Sequence, residues 1–131
     1  MAEERKILII DDDPMTLKIL TTFLNQEYEL RIANSAAQAM TLMAKFTPDL
    51  ILLDIEMPDI TGFEFLHTIK KNPRFMSTPV VIVSGHSEAE FVAHAENTGA
   101  SCLVAKPIDR DDLTAKIKFA FEHPKKNVWG I

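Results

Sequence analysis

Five polar residues in this chain have types and positions that could do chemistry together: Asp11, Asp12, Asp54, Ser84 and Lys106. Each follows a short apolar run, at residues 7–10, 50–53, 80–83 and 102–105. Taken singly, an aspartate there could be a helix cap, the serine a turn residue and the lysine a solvated surface group. Together they are three carboxylates, a hydroxyl and an ammonium. Three carboxylates packed together repel, and at least one should have a raised pKa unless a cation is present. A hard divalent cation with oxygen ligands relieves that repulsion. Mg²⁺ suits it, because it keeps several waters and commonly recruits phosphate oxygens. Lysine supplies a mobile point charge for a phosphoryl oxygen, and a serine hydroxyl can donate to another. The set describes phosphoryl transfer by positioning and charge neutralisation. Asp54 is the plausible carboxylate nucleophile, since its own strand carries it to the middle of the group.

The elements that must position these residues follow from the apolar pattern. The runs at 7–10, 50–53 and 80–83 are continuous and aliphatic, as in strands buried on both faces of a parallel sheet. Residues 28–33 alternate through Tyr28, Leu30 and Ile32, which predicts a half-buried peripheral strand. Residues 101–105 predict a short last strand. Asp13 and Pro14 are a good N-cap and first helical residue, opening a helix with Met15, Ile19, Leu20, Phe23 and Leu24 on its apolar face. Ser35 with Gln38 makes a capping box ahead of Ala36, Ala39, Met43 and Phe46. Phe63, Phe65, Leu66 and Ile69 mark a third helix ending near Asn72-Pro73. Ser87 with Glu90 opens a fourth, closing at Gly99. Asp109 caps a fifth, with Leu113, Ile117, Ala120 and Phe121 on one face and Phe119 opposite. Five strands alternating with five helices predict a parallel sheet with right-handed crossovers and helices on both faces. Parallel strands all end at one edge of the sheet, so the five polar residues meet there.

The bulk numbers fit one domain. The chain has 131 residues, 47% hydrophobic and 25% charged, enough for one full core and too apolar for disorder. A net charge of −5 argues against direct binding of nucleic acid or an anionic membrane by this domain. No apolar run approaches the roughly 18 residues of a membrane span. The N-terminus carries acids and does not read as a signal peptide. The single Cys102 excludes an intramolecular disulfide and suits a reducing compartment. The expected location is the cytoplasm. The expected boundaries are 1–123 for the domain and 124–131 for a C-terminal tail or the start of a linker.

The residues in order are Asp11-Asp12, then Asp54-x-x-Met57-Pro58-x-x-x-Gly62, then Val83-Ser84-Gly85, then Lys106-Pro107. This set resembles the receiver domain of two-component response regulators, over roughly residues 6–122. The resemblance implies a flavodoxin-like (βα)5 fold with strand order 2-1-3-4-5. It implies that Asp54 accepts a phosphoryl group from a histidine kinase or histidine phosphotransfer protein. It implies that Asp11, Asp12 and the backbone carbonyl of Glu56 join Asp54 around Mg²⁺. Ser84 and Lys106 would hold the phosphoryl oxygens, with Ser84 moving toward them. Gly85 would leave room beside the incoming group. The module would switch a partner or output surface by binding, without turning over a substrate, and could act as a homodimer. Glu56 and His86 stand where the family flanks the route of attacking water. The family's usual aromatic three residues before the lysine is Leu103 here, read as core.

Two other classes compete. A phosphatase of the haloacid-dehalogenase type would take its nucleophile from the first strand as Asp-x-Asp-x-Thr/Val. Asp11 and Asp13 fit that pattern, and Met15 fails it. A receiver-like scaffold that binds without phosphorylation would gain little from clustered carboxylates. His67, His94 and His123 lack metal-ligand spacing and read as surface residues, Met15, Met40, Met43 and Met57 as core and loop packing. Phe119 is the sequence's hint of a partner surface. The apolar 128–131 stretch could dock, be disordered or begin a linker.

Overall fold

The computed structural model describes residues 5–56, 62–85, 93, 94 and 97–123. The elements in chain order are β1 (Lys6–Ile10), α1 (Pro14–Leu24), β2 (Glu29–Ala33), α2 (Ala36–Met43), β3 (Leu50–Asp54), α3 (Gly62–Lys70), β4 (Val80–Ser84), β5 (Cys102–Ala105) and α4 (Arg110–Glu122). The five strands form one sheet in the order β2-β1-β3-β4-β5. Every pairing is parallel. This is the parallel sheet that the alternation of elements predicts, in the flavodoxin-like order that the family resemblance implies.

Continuous apolar strands are needed because both faces of the sheet are covered. Leu8, Ile10, Ile51 and Leu53 pack with Ala36, Ala39 and Met43 of α2 and Phe65, Leu66 and Ile69 of α3. The alternate residues Ile7, Ile9, Leu50 and Leu52 pack with Leu20 and Leu24 of α1 and Leu113, Ile117 and Ala120 of α4. Each fully buried aliphatic side chain contributes roughly 1.5–3 kcal/mol. A strand of four or five such residues is therefore held firmly in register, and its terminal residue is placed just as firmly.

The caps follow the expected chemistry, with one shift of position. The Asp13 carboxylate accepts from the amides of Met15 and Thr16, with Pro14 at the first helical turn of α1. Ser35 Oγ accepts from the Gln38 amide at 3.1 Å. Gln38 Oε1 reaches back one residue further than a standard box, accepting from the Asn34 amide at 2.6 Å. The Asp112 amide donates to Asp109 Oδ2 at 2.8 Å and opens α4.

Several packing expectations change. Met15 is 72% exposed and Met40 41% exposed, while Met43 is buried. On α1 the buried positions are Thr16, Leu20 and Leu24, a spacing of four that turns Met15 outward. Ile32 is exposed although it alternates with Tyr28 and Leu30, because β2 is an edge strand with a neighbour on one side only. Phe119 is partly covered by its own helix end, stacking on the His123 ring at 4.5 Å. Phe121 packs against Tyr28 at 5.7 Å, with the Arg5 guanidinium over its ring at 4.4 Å. Leu103 is buried in the α2–α3 core, as read from sequence. Of the expected fourth helix, Ala93, His94 and Asn97 are helical, and Gly99 has φ +95°, the left-handed turn that suits glycine after a helix. The Ser87–Glu90 cap, His86, Met57, Pro58 and the 124–131 tail lie outside the described residues.

Candidate functional site

The chain ends its central strands in carboxylates at the point where the strand order reverses, between β1 and β3. In open parallel sheets this crevice, at the carboxyl ends of the strands, is where ligands bind. Asp11 follows β1, and its amide still donates to Ala33 O on β2 at 3.0 Å. Asp54 is the last residue of β3 and pairs with Val83 of β4. Ser84 and Ala105 are paired at the ends of β4 and β5. The Lys106 amide donates to the Ser84 carbonyl at 2.9 Å, so these two residues are tied backbone to backbone. The sheet thus positions all five expected residues at one edge.

The carboxylates of Asp11, Asp12 and Asp54 converge. One ligand oxygen from each lies within 4.8 Å of the others. Asp11 and Asp54 are 1% and 3% exposed, whereas Asp12 is exposed. Asp11 Oδ1 accepts from the Asp13 amide at 2.9 Å. Asp11 Oδ2 is buried with no hydrogen-bond partner among the described residues. A buried oxygen without a hydrogen bond, on a carboxylate grouped with two others, is costly unless positive charge is supplied among them. The donor set is all oxygen, two groups are buried and one remains open to water. That combination fits a hard divalent cation such as Mg²⁺.

Electrostatics point the same way. Burial pushes the Asp11 carboxyl up to about 7, and the negative charge of Asp54 adds to the rise, against the lowering effect of the Asp13 amide. Burial also raises Asp54 above the ordinary carboxylate range. The Glu56 amide, donating to Asp54 Oδ1 at 3.1 Å, and the Lys106 ammonium oppose that rise. Lys106 Nζ stands 3.8 Å from Asp54 Oδ1, an ion-pair distance with room between the groups. Asp13 differs from its neighbours. The Thr16 hydroxyl donates to Asp13 Oδ2 at 2.6 Å and holds that carboxyl below its usual value. Its carboxylate is committed to capping α1, so Asp11 and Asp13 do not form the acid pair that a haloacid-dehalogenase pattern needs.

Two contributions were not legible as site features. Gly62 donates its amide to Ile55 O at 3.0 Å. A Cβ there would sit 2.5 Å from Ile55 Cα and 2.9 Å from Asp54 O. Only glycine lets α3 start this close to the end of β3. Its fixed place eight residues after Asp54 was the available signal. The second is Thr16, whose three-residue spacing from Asp13 is that of a reciprocal cap. A Cβ on Gly85 would meet nothing within 4 Å among the described residues.

A family model described as the response regulator receiver domain matches residues 7–118. The chain is 34% identical over 111 residues to the "Probable cyclic di-GMP phosphodiesterase" of Vibrio cholerae serotype O1, covering 85% of this chain and 25% of that protein. It is 29% identical over 120 residues to "Response regulator Rre1" of Synechocystis, covering 90% of this chain and 52% of that one. The chain therefore spans between a quarter and about half of these curated relatives. A solved structure of a response regulator receiver domain protein (CheY-like) from Methanospirillum hungatei JF-1 superposes with a TM-score of 0.83 at 29% identity, covering 93% of this chain and 97% of that one.

Proposed function

The chain belongs to the response regulator receiver domain family of two-component systems, and from that premise we propose that Asp54 is its phosphoryl acceptor. The observation that carries this reading is the placement of a buried carboxylate at the end of the central strand, with Lys106 Nζ 3.8 Å from it. The unpartnered oxygen of Asp11 supports it from the other side.

The donor is a phosphohistidine on a histidine kinase or a phosphotransfer protein. An ionised Asp54 oxygen attacks phosphorus and forms the new O–P bond. The P–N bond breaks, its electron pair returns to the imidazole, and that nitrogen takes a proton from water. In the reverse drain, water attacks phosphorus, the Asp54 O–P bond breaks and inorganic phosphate leaves. Lys106 first keeps Asp54 ionised in its buried position, then faces a phosphoryl oxygen. Ser84, at the end of β4, takes another of those oxygens. Asp11, Asp12, Asp54 and the Glu56 carbonyl hold Mg²⁺, which when bound supplies the positive charge that neutralises the carboxylates and the phosphoryl oxygens.

The output is binding, so the only chemistry assigned to this chain is its own phosphorylation and dephosphorylation. Residues 1–123 form the unit, and 124–131 are a tail or linker to an output segment. No helix among the described residues is long and apolar enough to cross a membrane, and the proposed location is the cytoplasm. Homodimerisation is one way the switched surface could act.

Incubation of the whole chain with acetyl phosphate and Mg²⁺ should give an acid-stable, base-labile adduct, mapped to Asp54 by mass spectrometry. Asp54→Asn should show none. A folded native chain that forms no adduct, or an Asp54→Asn chain that forms the same one, contradicts the proposal.

A further inference from the structure

Asp13 is the acid of the Asp11-Asp12-Asp13 run that the cation cluster does not use. Its two ends do different work. The amide of Asp13 donates to Asp11 Oδ1 at 2.9 Å. The carboxylate of Asp13 accepts from the Thr16 hydroxyl at 2.6 Å, the Thr16 amide at 3.3 Å and the Met15 amide at 3.4 Å. Thr16 is on the buried face of α1, so this grip on the side chain is anchored against the core. The Asp13 carbonyl completes the first turn by accepting from the Leu17 amide at 3.0 Å. The peptide that holds Asp11 is thereby fixed from three directions.

That fixation has a consequence for Asp11. With Oδ1 occupied by the Asp13 amide, the carboxylate cannot rotate freely about its last bond. That leaves Oδ2, buried and without a hydrogen bond among the described residues, as the Asp11 oxygen free to serve the cluster with Asp12 and Asp54. A metal ligand oriented by its own hydrogen-bonded support binds more tightly than a loose one, and loss of such support typically costs 10–100-fold in affinity.

We propose that Asp13 is a positioning residue of the cation site: its capping carboxylate and Thr16 fix the amide that aims Asp11 Oδ2 at the metal. The proposal rests on the reading of Asp11, Asp12 and Asp54 as a Mg²⁺ site. It assigns to Asp13 a hydrogen-bonding role and not a charge role, which makes the two separable. Asparagine caps a helix about as well as aspartate but carries no charge. Threonine to valine keeps every charge and the side-chain shape, but removes the hydroxyl donor.

The test is Mg²⁺ binding to the whole 131-residue chain by titration calorimetry, with the thermal midpoint measured on each sample. Asp13→Ala should weaken Mg²⁺ binding about tenfold. Asp13→Asn should stay within about threefold of the native chain, and Thr16→Val should fall between the two. Equal losses in Asp13→Ala and Asp13→Asn with Thr16→Val unchanged would mean that charge alone matters, and would overturn the proposal. So would an unchanged affinity in Asp13→Ala with only its thermal midpoint lowered. A native chain that does not bind Mg²⁺ would instead bring down the cation-site reading on which the proposal stands.

Discussion

The same residue type is used in opposite ways at the helix starts and at the strand ends. Asp13 and Asp109 begin α1 and α4, and both are exposed and receive backbone amide donors. Asp11 directly follows β1 and Asp54 ends β3, and both are buried with raised pKa values. The difference lies in what each element end offers. A helix N-terminus has amides with no partner inside the helix, and a carboxylate satisfies them. A parallel strand spends its amides on the ladder up to its last residue, as the Asp11 amide does on Ala33 O. The strand-end carboxylates are left with one short backbone donor each, from Asp13 and Glu56. The helix-start acids are therefore part of what stabilises the fold. Burial of the strand-end acids opposes their ionisation, which is the pattern expected where function has been placed.

The comparison can be broken first at the frame that forces the strand-end acids together. Gly62→Ala would drive a Cβ into the backbone at Ile55 and Asp54. We expect a loss of about 3 kcal/mol in denaturant unfolding, with Mg²⁺ binding weakened as Asp54 shifts. Ordinary stability in that variant would show that the close approach of α3 does not set the strand end. At the helix starts the effect is smaller. Asp109→Ala should cost about 1 kcal/mol by the same measurement, and should do so equally with and without Mg²⁺. A cost that depends on Mg²⁺ would blur the line between the two kinds of acid.

The sheet and the meeting of five polar residues at one of its edges were legible because period and chemistry coincided. Runs such as Leu50 to Leu53 are aliphatic at every position, and each breaks abruptly to a polar residue. What stayed hidden depended on contacts across the chain. Met15 and Leu20 are alike in apolar character, but Leu20 and Leu24 pack against the sheet and Met15 stands exposed. Phe119 reads as outward from its spacing, and the His123 ring that partly covers it was not inferable from helix period. Gly62 appears in the sequence only as a motif residue, and the crowding of any Cβ there against Ile55 and Asp54 exists only once β3 and α3 are assembled. The division of labour between Asp11 and Asp13, two positions apart, required knowing which one the helix captures.

The buried strand-end acids lack the positive charge that a bound Mg²⁺ would supply. The most direct measurement is the thermal midpoint of the native chain and of Asp11→Asn across pH, in chelator and in Mg²⁺. The Asp11 carboxyl sits at about 7 when folded, against an ordinary 3.8. The folded chain therefore binds the extra proton between those values, and stability falls as pH rises through that window. In chelator at pH 8, where the penalty is complete, Asp11→Asn should melt above the native chain, and the gap should narrow as pH falls toward 4. Mg²⁺ should raise the native midpoint at pH 8, leave Asp11→Asn nearly unmoved, and lose its effect below about pH 7, where protons compete for the same oxygens. An Asp11→Asn chain that melts below the native one in chelator at pH 8, or a native chain indifferent to Mg²⁺, would contradict the account.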